Sequence, residues 1–305
     1  MIDIIKFNSL LELMETFNTE EICIKYLENL RWKNGVVSPF DPKSKVYVFS
    51  KNRYICKNTG KIFNVKTKTI FENTKISLRK WFMAIWLLIS NKKGIPSTQL
   101  ARDIKVTQKT AWFMLQRIRV YLICMNKGVL KEEVEADETF VGGKNKNRHK
   151  DKKVKQSQGR SFKDKTPVLG MLQRKGNVIA RVVKDTSQNE LTPKILEHVD
   201  RNAILYTDEW HGYNIVNKLY EHYNVDHSKG IYGIGNICTN AIEGFWTLIK
   251  RGYIGIYHYI SPKYLQRYVN EFVFRYNTRK MSEHNRFNLL LCNIDYKMNY
   301  KVLTA

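Results

Sequence analysis

The spacing of apolar and polar residues changes character three times along the chain. Residues 8–32 carry the spacing of two short amphipathic helices, and Asn18-Thr19-Glu20-Glu21 supplies a cap and first-turn acids for the second. Over residues 35–72, Pro, Gly, Asn and Thr punctuate short extended pieces such as Lys45–Phe49 and Arg53–Cys56, which predicts a small β module. Helical spacing returns over residues 77–125. One helix runs from Ser77 through the apolar stretch Trp81–Ser90. A second follows Pro96, a break falls at Lys105-Val106, and a third runs from Thr107 to Arg119. Ser97 and Thr107 are the expected N-caps, and Ala111, Leu115, Ile118 and Leu122 share one face. From about residue 130 strands and helices intermingle. Val134–Val141, Pro167–Arg174, Val178–Val183 and Ala203–Thr207 read as strands, and Thr192–Val199, Tyr213–Glu221, Ala241–Lys250 and Pro262–Arg279 as helices. The class is therefore α/β in this region.

The length of 305 residues suits about two domains, and an apolar fraction of 43% excludes global disorder. Charge changes the picture most. Lys and Arg number 52 against 28 Asp and Glu, a net charge of +24. Such an excess works against compaction, and a polyanionic partner is its usual reason, because phosphate contacts release condensed counterions. Codon bias in an AT-rich genome is the competing explanation. The five cysteines are scattered and form no CxxC pair, which speaks for a reducing cytosol rather than a disulfide framework. The start lacks the form of a signal peptide, and Trp81–Ser90 is about half the length a bilayer-spanning helix needs. The expectation is a soluble, cytoplasmic protein with no membrane partner.

Two features point to DNA. The helix pair around Lys105-Val106 has the form of a helix-turn-helix, whose second helix would present Gln108, Lys109, Thr110 and Arg117 to bases and phosphates. An ordinary helical hairpin with a solvated face is the bland alternative. Segment 144–165 holds ten Lys/Arg and two Asp, and reads as a mobile basic loop in which Lys144, Lys146 and Arg148 would meet backbone phosphates.

Three carboxylates sit in telling places. Asp137 lies within the strand Val134–Val141, Asp208 at the carboxyl end of the apolar run Ala203–Thr207, and Glu243 in the first turns of the helix after Asn240. Strand ends of this kind are where α/β sheets bind ligands. Hard oxygen ligands that converge on two Mg²⁺ ions are what metal-assisted phosphodiester chemistry requires. Lys250 follows Glu243 by two helical turns, so the two share a face, while Glu138 points away from Asp137 across the strand. Taken singly, each acid could be a cap or a strand-end residue; their order along the chain is what favours a site.

The segments Asp137-Glu-Thr-Phe-Val-Gly-Gly-Lys, Tyr206-Thr-Asp-Glu-Trp-His-Gly-Tyr, His227-Ser-Lys-Gly and Thr239-Asn-Ala-Ile-Glu-Gly-Phe-Trp-Thr-Leu-Ile-Lys-Arg-Gly resemble the ISXO-like insertion-sequence transposases. Trp81–Leu88 and Val106–Arg119 upstream carry the same resemblance. It implies an α/β RNase-H-like catalytic core, a mixed sheet with flanking helices, over residues 128–282. A helix-turn-helix at 76–127, a zinc-ribbon-like β module within 1–75 and a tail at 283–305 complete the expected plan. It implies that Asp137, Asp208 and Glu243 are the metal-binding catalytic triad, with Lys250 as a catalytic helper and Asn240 and Arg251 near the DNA. The implied cofactor is a pair of Mg²⁺ ions, with Mn²⁺ able to substitute. The implied partner is double-stranded DNA, both element ends and target, bound by a homo-oligomer in a prokaryotic nucleoid. His211 and His227 lie in matching motifs without an assigned role. The two ribbon knuckles would fall at Ser38-Pro-Phe-Asp41 and Cys56-Lys-Asn-Thr59, too poor in cysteine for a closed zinc site, so no structural zinc is expected. Tyr47, Phe49, Tyr54 and Phe63 are expected to hold the module instead. The alternatives are a nuclease that cuts without joining, a decayed copy that only binds DNA, and an RNA-packaging protein.

Overall fold

The computed structural model describes residues 6–143, 149–154, 165–225 and 238–292. Its contacts divide the chain into two compact units, one of residues 1–121 with 280–305 and one of residues 122–279.

The first unit opens with α1 (Leu10–Thr16) and α2 (Glu20–Arg31), whose caps Ser9 and Thr19 accept from the backbone N–H of Glu12 and Ile22. Strands β1 (Val46–Ser50), β2 (Arg53–Cys56) and β3 (Ile62–Phe63) then form an antiparallel sheet in that order. Its packing is supplied by Tyr54 and Phe63, tilted against each other, with Trp32 edge-on to both and Phe40 edge-on to Phe63. Tyr47 and Phe49 are not part of it: they are 51% and 54% exposed on edge strand β1. Helices α3 (Leu78–Ser90), α4 (Ser97–Asp103) and α5 (Gln108–Tyr121) follow. The break between α4 and α5 turns at Lys105, which takes φ +51°, the left-handed conformation usually left to small residues. Thr107 caps α5 through the N–H of Thr110, as expected. Ser97 caps nothing; it is the first residue of α4 and its hydroxyl accepts from the Gln108 amide. Residues 283–292, expected as tail, form α9 (Glu283–Cys292). Phe287 of α9 lies edge-on to Phe7 and Phe82 in an aromatic cluster that also includes Phe17 and Trp86.

The second unit is a five-stranded mixed sheet, β4 (Glu133–Val141), β5 (Thr166–Gln173), β6 (Val178–Val182), β7 (Ile204–Asp208) and β8 (Glu221–Val225), in the order β6-β5-β4-β7-β8. Antiparallel pairing joins β6, β5 and β4, and parallel pairing joins β4, β7 and β8. Alternate residues bury on opposite faces. Val134, Ala136, Leu169, Met171 and Leu205 pack with α6 (Gln188–His198) through Leu191 and Ile195. Val168, Leu172, Val178 and Ala180 pack with α7 (Asn240–Gly252) and α8 (Leu265–Asn277) through Ile242, Phe245, Ile249, Val269 and Phe272. The helix expected over Tyr213–Glu221 is not formed. Two 3₁₀ turns, His211–Tyr213 and Val216–Lys218, lead into β8 instead. No described helix is long and apolar enough to cross a membrane.

Candidate active site

The central strand β4 decides what faces what. Asp137 looks toward α7, where the Trp246 indole N–H donates to its Oδ2 at 2.9 Å. Glu138 looks the other way and accepts from the Tyr213 hydroxyl. Opposite Asp137 on β5 stands Gly170. A Cβ there would come within 2.6 Å of the Trp246 ring and 2.8 Å of Ile242, so only glycine lets the indole lie over the sheet and reach the carboxylate.

Parallel pairing between β4 and β7 runs from Glu133↔Ile204 to Glu135↔Tyr206 and stops there. The same register continued two residues brings Asp208 level with Asp137, both beyond the last bonded pair and on one face. Asp208 accepts from the Trp210 N–H at 3.2 Å, which turns the chain away from the strand end. Tyr213 senses the same charges. Burial first, then the negative charges of Glu138, Asp137 and Asp208, holds its phenol far above the ordinary tyrosine range.

Helix α7 brings the third acid. Asp137, Glu138, Glu243, Trp246 and Lys250 line one open cleft of about 510 Å³ together with Lys165. Glu243 and Lys250 are exposed on the same face of α7. Among the described residues no group of three or more His, Cys, Asp or Glu side chains stands close enough together to hold a metal ion.

Sequence reading missed the residue that aims this helix. Glu135, two positions before Asp137, is 1% exposed and its Oε2 accepts from the N–H groups of Ala241 and Ile242 at 2.9 and 3.0 Å. It thereby satisfies two of the four donors a helix leaves unpaired at its start and places a negative charge at the positive end of the dipole. Its Oε1 accepts from Arg174 Nε at 2.9 Å. Arg174 in turn donates to the Cys238 carbonyl at 2.7 Å and lies 4.0 Å from the Tyr206 ring centre. Burial lowers the Arg174 pKa, but the bond to Glu135 and the charges of Glu135 and Glu133 outweigh it and leave the guanidinium above its ordinary value. One carboxylate thus ties β4, β5 and α7 together. The signal available in the sequence was the alternation Glu133, Glu135, Asp137 on one strand face.

The other expected residues divide. Asn240 opens α7 and lines a neighbouring cleft with Glu135 and Arg174, and Arg251 is exposed on α7. Gln108 and Lys109 are exposed at the start of α5 and Thr110 is half-buried. Arg117 is a correction: it is 5% exposed, donates to the Glu72 carbonyl and lies against Phe113, so it serves the interior of its own unit rather than a DNA surface. Its neighbours Gln116 and Arg119 are equally buried. Lys144, Lys146, Arg148 and His227 lie outside the described residues. His211 sits in the 3₁₀ turn after Asp208, its ring 6.3 Å from that of Trp210.

Comparison with known proteins bears on the same segment. Residues 129–277 match the ISXO2-like transposase domain. An uncharacterised protein in transposable element ISH50 of Halobacterium salinarum is 26% identical over 276 residues, 86% of this chain and 92% of the relative. Among solved structures, the Mos1 strand transfer complex is 12% identical, covering 72% of this chain and 79% of that one, with a TM-score of 0.26. A pre-cleavage Mos1 transpososome is 13% identical, covering 70% and 79%, with the same score. Residues 129–277, the segment that carries Asp137, Asp208, Glu243 and Lys250, are thus the part of the chain that is similar to the ISXO2-like transposases.

Proposed function

We propose that this transposase binds the terminal repeats of its element, hydrolyses a phosphodiester at each end with Mg²⁺, and passes the freed 3′-hydroxyl to target DNA. The observation that carries the reading is the shared cleft of Asp137, Glu243 and Lys250, with Asp208 brought level with Asp137 by the β4–β7 register. The strand order β6-β5-β4-β7-β8, three antiparallel strands continued by two parallel ones, supports an RNase-H-like core.

Asp137, Asp208 and Glu243 would hold the metal. They are hard oxygen donors, and the charges of Asp137 and Asp208 are both felt at Tyr213, while Glu243 faces Asp137 across the cleft and would have to close on them as the ion binds. Bound Mg²⁺ supplies Lewis acidity for the attacking and leaving oxygens. The chain's own residues do the rest. Glu135 and Arg174 fix the start of α7, and with it Glu243, against β4. Trp246 orients Asp137 and covers the cleft floor with its ring. Lys250 and Lys165, at the same cleft, neutralise the phosphate that approaches the carboxylates.

DNA reading is assigned to α4 and α5, with Gln108, Lys109 and Thr110 at the groove. The turn at Lys105 supports it, because the left-handed residue there makes the sharp break such a unit needs. Asn240 and Arg251 would meet the backbone near the chemistry, and assembly on DNA as a homo-oligomer would bring two ends together. Asp208→Ala is expected to abolish cutting and joining while end binding stays near normal. Joining preserved in that variant, or binding lost with the chemistry, refutes the assignment. Wild-type protein that cuts but fails to join pre-cut ends with free 3′-hydroxyls is a nuclease instead.

A further inference from the structure

The carboxylate cleft has an apolar annex. A second cavity of about 520 Å³ shares Phe140, Lys165 and Lys250 with it. Its remaining walls are Val141, Gly142, Gly143, Ile249, Tyr253, Ile254 and His258. Its apolar wall opens to solvent at Ile254, 68% exposed, beside half-buried Tyr253. That wall is built by an unusual backbone. At Tyr253 helix α7 widens into a π turn, Tyr253–Tyr257, closed by His258 at φ +57°. Such turns are rare and cluster at functional sites, and left-handed backbone at a residue other than glycine costs energy that the surroundings must offset.

We propose that this annex takes a single nucleobase turned out of the DNA stack beside the scissile phosphate, while Lys165 and Lys250 at its mouth hold the phosphate leading to that base. The assignment rests on the transposase reading above, since it needs DNA in the carboxylate cleft. Charge and polarity both fit one occupant. A nucleotide is an anion joined to a flat apolar ring, and the cavity is a cationic rim joined to an apolar wall. Turning a base out of a duplex costs a few kcal/mol, which stacking on side chains can return, and it frees the backbone to bend toward groups it could not otherwise reach.

The test uses duplexes carrying the element's terminal repeat, with 2-aminopurine at each of the last positions in turn. Wild-type protein is added without divalent metal, so nothing is cut. Fluorescence is expected to rise several-fold at one position and stay flat at its neighbours, because the analogue brightens on leaving the stack. Ile254→Ser removes the exposed wall. Gly143→Leu fills the cavity from a position where a Cβ meets nothing within 4 Å. Both, at protein concentrations that saturate the duplex, are expected to form the complex and to lose the rise. With Mg²⁺, Ile254→Ser is expected to cut a paired end about tenfold more slowly, equivalent to about 1.4 kcal/mol, and to recover when that nucleotide is abasic. A signal flat at every position, or a rise kept by both variants, overturns the proposal. Failure of the underlying reading looks different: wild-type protein would show the rise yet leave the ends uncut in Mg²⁺.

Discussion

The bond between Glu135 and the start of α7 is the most exposed point of the reasoning, and Glu135→Gln tests it. Glutamine keeps the shape and one carbonyl oxygen, so the N–H groups of Ala241 and Ile242 retain an acceptor. What goes is the charge. An anion at a helix start contributes typically 0.3–1 kcal/mol, and up to ~2 kcal/mol in partly buried geometry. Glutamine's NH₂ would also face Arg174 Nε, donor against donor, where a charge-assisted bond contributed ~1.5–3 kcal/mol. Arg174 is not stranded, because Glu133 stands 3.4 Å from its Nη1, the Cys238 carbonyl accepts from Nη2, and its side chain is 16% exposed. The loss should therefore fall short of the ~3–5 kcal/mol that follows an uncompensated buried charge. About 2–3 kcal/mol is expected. For a unit of this size that lowers the melting temperature by about 4–12 °C, at ~2–4 °C per kcal/mol. Thermal and urea denaturation read it. Glu133→Gln is the control, since its side chain is 39% exposed and an exposed pair is worth ~1 kcal/mol or less. Cutting should slow beyond what stability explains, because Glu243 sits one turn from the loosened contact. If Glu135→Gln melts within a degree of wild type, or no lower than Glu133→Gln, the carboxylate does not hold the helix and the argument for a built site fails.

Gly170→Ala should cost about 1–3 kcal/mol through overpacking and should pull Trp246 off Asp137, seen as a changed tryptophan emission with loss of cutting; Gly244→Ala, where a Cβ meets nothing, should instead gain ~0.5–1 kcal/mol. An unchanged emission in Gly170→Ala would mean the indole is not confined as described. His222 is pushed down to about 4 by burial, against an ordinary 6.5. The unfolded chain therefore binds its proton first, so stability is full above about pH 6.5 and falls as pH drops toward about 4. His222→Gln should flatten the slope between these limits, and an unaltered slope would place the histidine in solvent. Lys109→Ala should weaken end binding across all sequences and reduce the salt dependence by about one ion, whereas Arg117→Ala should leave that slope alone and cost stability. Equal salt slopes for wild type and Lys109→Ala would remove α5 from the phosphate backbone.

Most of the second unit was legible because its strands obey simple alternation. The run through Asp137 separates Asp137 from Glu138 as the period of two demands. The cap-rich helix starts were equally plain, save at Ser97, where Pro96 already begins the turn without a side-chain cap. What failed has identifiable causes. Strand β8, Glu221-His-Tyr-Asn-Val, is polar and lies at the sheet edge, so it carries little of the apolar signal that marks a central strand. Arg117 reads as a surface cation, yet its charge is spent on the Glu72 carbonyl, a partner 45 residues away. Glu135 reads as one more polar strand residue, because its meaning lies in donors 106 and 107 residues further on. Tyr47 and Phe49 were assigned to packing by residue type, but a short edge strand has no second layer over that face.

The return of α9 to the first unit has a consequence for synthesis. Phe287 completes an aromatic cluster whose other members, Phe7, Phe17, Phe82 and Trp86, emerge from the ribosome at least 201 residues earlier (287 − 86). At about 5–20 residues per second those rings wait roughly 10–40 s for their last neighbour. The unit proposed to read DNA is therefore finished only after the whole second unit has been translated, and a nascent chain interrupted before residue 287 would leave the aromatic cluster of the first unit open. Translation itself would act as a completeness check on the folding of that unit.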